Sequence, residues 1–145
     1  MGIDLAEIAQ RKAFLEFGAA DIALLKSIHG QISKARHGFA EGFYEYLRGF
    51  DKLHPLLRDD ETVVRLKRAH NVYFSQLTKG EYDWEHVKNR LKVGAVHSRI
   101  GLEPKWYVGA YRKYLSDMLQ AVWDIAGGDR TQFVTTFDAL LKVVV

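Results

Sequence analysis

The sequence predicts an all-α domain. Three observations carry that expectation. Apolar residues recur at three- and four-residue spacing through almost the whole chain, and no segment shows the alternation of a strand. Gly, Pro and Asp residues fall between the periodic segments, where helices stop and start. With 145 residues and 48% hydrophobic content, the chain suits one domain around one core.

Each element has its own signal. Residues 3–17 form a first helix that breaks at Gly18, and residues 20–29 form a second, which Gly30 closes. Phe39, Phe43, Tyr46, Leu47 and Phe50 make an apolar stripe that predicts a long core helix over 33–50. A brief turn over 52–57 is punctuated by Pro55. Asp60 caps the next helix, whose Val63, Leu66, His70, Tyr73 and Leu77 share one side, and Lys79-Gly80 ends it.

Residues 83–100 make the next helix. Its Val93, Val96 and Ile100 mark an apolar face expected to be buried, and the same spacing turns His97 toward that face. Gly101 stops the helix. Pro104 then sits where a following helix starts, a position at which its missing N–H costs nothing. That helix, over 105–126, carries Tyr107, Tyr111, Tyr114, Met118, Val122 and Ile125 on one buried side. Gly127-Gly128 breaks the pattern and Asp129 caps a last helix, with Phe133, Phe137, Leu140, Leu141 and Val144 facing inward. The pattern stops in mid-course at Val143-Val144-Val145, so the chain reads as part of a longer protein.

Composition excludes several kinds of function. There is no cysteine, hence no disulfide, thiolate metal site or cysteine nucleophile. The net charge of +3 comes from 21 basic and 18 acidic residues that are largely interleaved. That is a solvated surface rather than the basic stripe of a nucleic-acid partner. The chain has no run of about 18 uncharged apolar residues and no export signal, and Ala6 stands where a myristoylation signal needs Ser or Thr. No membrane partner is expected, and the expected location is the cytoplasm.

Residues 93–111 carry the most information: Val-Gly-Ala-Val-His97-Ser-Arg-Ile-Gly-Leu-Glu-Pro-Lys-Trp106-Tyr107-Val-Gly-Ala-Tyr. Taken alone, a single histidine on an apolar helix face is most often a hydrogen-bonded core residue. This stretch, however, resembles the proximal-histidine segment of the globin-coupled sensor and protoglobin family, in which a histidine precedes Arg-Ile-Gly-Leu, a proline and Trp-Tyr. The resemblance extends more weakly to Phe43-Tyr44 and Arg65-Leu66-Lys67. It implies a globin-like fold, a 3-over-3 helical sandwich with an extra N-terminal helix and no fourth short helix. Residues 1–145 would be a single sensor domain of that kind.

The resemblance also implies haem b, iron protoporphyrin IX, with His97 as the axial ligand of the iron. Val96, Ile100 and Trp106 would line the cofactor beside it. The Tyr107 hydroxyl would tune His97, or its ring would simply pack. On the opposite side Tyr44 would donate a hydrogen bond to bound O2, Phe43 would pack the haem edge, and Leu66 and Ala69 would gate the ligand pocket. His70 is expected to flank this site, and Tyr46 is a weaker candidate for the donor. His29, His37, His54 and His86 read as surface or packing residues.

The gases implied are O2, CO and NO. The last two helices would form a homodimer interface and signal to a C-terminal output module in cis, such as a diguanylate cyclase, a histidine kinase or a chemotaxis transducer. The domain itself would turn over no substrate. Two alternatives stand beside this reading. One is a stand-alone protoglobin-like enzyme acting on nitric oxide or peroxide at the same haem, and the other is a haem-free helical scaffold.

Overall fold

The computed structural model describes residues 4–35 and 39–144. Among the described residues seven α-helices succeed one another: α1 (Leu5–Phe14), α2 (Ala19–Ala35), α3 (Phe39–Arg48), α4 (Asp60–Leu77), α5 (Trp84–Arg99), α6 (Pro104–Ala126) and α7 (Arg130–Val144). A 3-10 turn, His54–Leu57, stands between α3 and α4. No strand occurs among the described residues.

Short polar residues start the helices. The carboxylates of Asp4, Asp83 and Asp129 accept from the backbone N–H groups of Glu7, His86 and Gln132 at 2.8, 3.0 and 3.0 Å. Each satisfies a donor that the first helical turn leaves without a partner. Pro104 opens α6, and Gly127, at φ 62°, closes it in a left-handed conformation that suits glycine.

Three boundaries differ from the sequence expectation. Helix α2 runs through Gly30 to Ala35, because Gly30 is exposed and a side chain there would meet nothing. Its weak propensity, about 1 kcal/mol below alanine, is outweighed by Leu25, Ile28 and Ile32, all buried on one face of α2. Ser33 therefore belongs to α2, and the helix that bears Phe43 ends at Arg48 rather than at Phe50. Asp59, not Asp60, caps α4, accepting from the Glu61 N–H and the Thr62 hydroxyl, both at 3.1 Å. Ile3, His37 and the side chain of Phe39 lie outside the described residues.

The main core lies where α2, α6 and α7 meet, filled by Leu25, Ile32, Tyr114, Val122, Leu140 and Val143, all 1% exposed or less. An ion pair crosses its edge. Lys142 on α7 donates to the carboxylate of Asp21 at 3.2 Å and to the carbonyl of Glu16 at 2.9 Å, while Asp21 accepts from the Gly18 N–H at 2.8 Å. A second, smaller cluster of Phe43, Tyr44, Leu57 and Val63 packs α3 against the 3-10 turn and α4, with Leu47, Leu66 and Ala110 around it. This second cluster positions the site. Among the described residues no helix is long and apolar enough to cross a membrane.

Candidate functional site

Helix α5 supplies one wall. It ends at the corner of Ile100 and Gly101, where Gly101 adopts φ 70° and the Leu102 N–H donates to the His97 carbonyl at 2.9 Å. Beyond the corner the chain continues as α6. The imidazole of His97 consequently stacks on the ring of Tyr107, with centroids 5.3 Å apart and planes 17° from parallel. Tyr107 meets His97 through its ring face, which is the packing alternative of the two the sequence offered. Further along the same pair of helices, the Arg90 guanidinium lies over the Tyr111 ring at 5.5 Å.

His97 is half-buried, and burial lowers its pKa, which favours the neutral imidazole with a lone pair to offer. The aliphatic residues around it depart from expectation. Val93, Val96 and Ile100 are 38%, 41% and 45% exposed rather than buried. The valine and isoleucine strip beside His97 is thus left exposed.

Helices α3 and α4 carry the second group of expected residues. Successive residues on a helix point about 100° apart, so Tyr44 and Tyr46 cannot share a face. Tyr44 is buried, whereas Tyr46 is 42% exposed, packed on Phe50 at 5.2 Å with the Lys113 ammonium over its ring at 5.5 Å. The Tyr44 hydroxyl lies 2.5 Å from Nδ1 of His70. His70 is thus more than a flanking residue, being the direct hydrogen-bond partner of Tyr44. Its ring is fixed by the Phe43 edge at 5.5 Å and by Phe74, stacked at 5.5 Å and 15°.

The remaining expected residues sit at several depths. Phe43 is buried and Leu66 is partly buried in the same cluster, whereas Ala69 is exposed on α4. Trp106 packs its ring on Phe50 at 5.7 Å, beside the start of α6. Of the other histidines, His29 bonds Thr78 through Nδ1 at 2.7 Å, His54 is exposed, and His86 is buried on Tyr82. Sequence reasoning missed Phe74, one helical turn after His70, whose ring also lies 4.3 Å from that of Tyr114 with planes 2° from parallel. The (i, i+4) spacing from His70 was the available signal.

Electrostatics set the protonation of these groups. Burial raises the Tyr44 pKa, so the phenol keeps its proton. The His70 pKa is lowered to about 4, chiefly by burial and secondly by the charge of His97. The chain therefore offers a neutral imidazole beside an apolar strip on α5, and on α3 and α4 a phenol paired with a second neutral imidazole. No group of three or more His, Cys, Asp or Glu residues suited to a bare metal ion occurs among the described residues.

The sequence matches the protoglobin family over residues 4–145. The chain belongs to that family. It is 31% identical over 131 residues to the heme-based aerotactic transducer HemAT of Halobacterium salinarum, an alignment covering 90% of this chain and 27% of the transducer. The protoglobin chain thus spans about a quarter of that relative. Its structure superposes on the globin domain of the Geobacter sulfurreducens globin-coupled sensor with a TM-score of 0.86, at 26% identity, covering 99% of this chain and 91% of the other. The protoglobin domain accordingly has an all-α, globin-like fold.

Proposed function

We propose that this protoglobin domain is a haem-based gas sensor, with haem b held by His97 and a gas bound on the Tyr44 side. The observation that carries the reading is the pairing of a half-buried neutral imidazole and an exposed apolar strip on α5 with a buried phenol on α3. The donor set fits the group. Haem needs one neutral imidazole and apolar walls rather than a cluster of carboxylates, and it supplies an iron centre at which O2, CO or NO binds. Val96 and Ile100 would pack one porphyrin face beside His97, with Trp106 near the corner.

The chain's own residues do the rest. Tyr107, stacked on His97, fixes the plane of the imidazole. Tyr44 offers a proton to ligands that gather negative charge, while Phe43 and Leu66 keep that proton in a dry environment where a hydrogen bond is stronger. Ala69, small and exposed on α4, would leave an entry path beside Leu66.

The same arrangement suits signalling. Leu119, Trp123 and Val134 leave an apolar surface on α6 and α7 that is 42%, 41% and 54% exposed, which supports a homodimer through these two helices. An output module in cis after α7, such as a diguanylate cyclase, histidine kinase or chemotaxis transducer, would receive the change, and the domain would act in the cytoplasm. The named function of the aerotactic relative supports sensing over turnover of nitric oxide or peroxide. The test is reconstitution with haemin. A sharp Soret band that is lost in His97→Ala is the expected result, and a spectrum indifferent to His97 would overturn the assignment.

A further inference from the structure

A phenol has one proton to give. Tyr44 is buried, and its oxygen lies within hydrogen-bond distance of Nδ1 of His70, whose ring packs edge-on with Phe43 and face-on with Phe74. Phe74 is itself held flat against Tyr114 of α6. In a neutral imidazole one nitrogen donates and the other accepts. An imidazole nitrogen is a stronger acceptor than a phenol oxygen, so the direction that fits a protonated Tyr44 and a neutral His70 is O–H of Tyr44 donating to Nδ1, with the proton of His70 on Nε2. The low His70 pKa supports the neutral form.

We infer that His70 is a positioning residue that competes with the gas for the proton of Tyr44, and so weakens retention of O2 selectively over CO. The inference rests on the gas-binding reading and deepens it. A ligand that gathers negative charge is stabilised by the Tyr44 proton and must draw it off His70 first. Carbon monoxide gathers little charge and gains little from that proton, so the competition leaves it nearly untouched. His70 thereby sets discrimination between the two gases without touching either.

The experiment compares the haem-loaded wild type with His70→Phe, which keeps a ring between Phe43 and Phe74 but cannot accept a proton, and with His70→Leu as a second variant. O2 dissociation is expected to slow about fivefold in both, the factor given by one ordinary hydrogen bond, with CO dissociation changed by less than about twofold. Adding Tyr44→Phe to the wild type and to His70→Phe should abolish the difference between them. A readout independent of gas kinetics is nitrogen NMR of the His70 side chain in the CO complex, where Nδ1 should be unprotonated and Nε2 protonated.

Faster O2 release in His70→Phe, or a proton found on Nδ1, would mean that His70 donates to Tyr44 and would overturn the inference. So would a gas-free spectrum that changes from six- to five-coordinate in the variants, because His70 would then be an iron ligand. Equal slowing of O2 and CO would mark a mere change of access and overturn it likewise. A wild type without any Soret band fails at the earlier step and refutes the gas-binding reading itself, which separates the two failures.

Discussion

Acid should loosen the helix that carries His97, and the residue responsible is His86, in the first turn of α5. It is buried against Tyr82 at 4.7 Å, its Nε2 has no hydrogen-bond partner, and its pKa falls to about 4. The largest cause is burial. The positive charge of Arg90 adds to it, and Asp83 opposes both. The unfolded chain protonates His86 near its ordinary value of 6.5, whereas the folded chain resists until about pH 4. Between those values the unfolded state binds more protons, so stability is greatest above pH 6.5, falls as pH drops, and levels off below about 4. Linkage across that window gives about 2 kcal/mol lost between pH 7.5 and pH 5 from this residue alone. Urea denaturation of the haem-loaded protein at both pH values measures it, with His86→Phe as the control in which this share of the loss should vanish. Other titrating groups, His97 included, contribute equally to both proteins and cancel in the comparison. A pH dependence identical in wild type and variant would refute the reasoning.

Tyr44→Phe should raise the O2 dissociation rate about tenfold, since a hydrogen bond to a charge-bearing partner is worth about 1.5–3 kcal/mol less the share His70 withdraws. Stopped-flow kinetics decide it, and a rate within twofold of the wild type would remove Tyr44 from the donor role. Gly80→Ala should destabilise the protein by about 2 kcal/mol or more, because Gly80 sits at φ 77° and a Cβ there would lie 3.1 Å from the Ile22 carbonyl and side chain. Thermal unfolding reads this, and an unchanged midpoint would show that the α4–α5 corner can shift to make room.

Much of the fold was legible because helical periodicity is a local signal. The candidate site was harder. The sequence placed His97 and Tyr44 on the correct elements through residues 93–111 and Phe43-Tyr44, but the partnership of Tyr44 with His70 joins α3 to α4 and has no local signature. The exposure of Val93, Val96 and Ile100 was equally invisible. Periodicity reports which residues are apolar on one face, not whether protein covers that face. Gly30 misled for a related reason: its cost is local, while the burial of Ile28 and Ile32 that overrides it is set by α6 and α7 packing.

The bond from Lys142 to Asp21 and the Glu16 carbonyl has a mechanical meaning for any module fused after α7. It moors the final turn to the bend between the two opening helices. A twist applied to that turn is then shared with the entry of α2 instead of being absorbed by fraying of α7. Severing the mooring would turn a stiff lever into a slack tether.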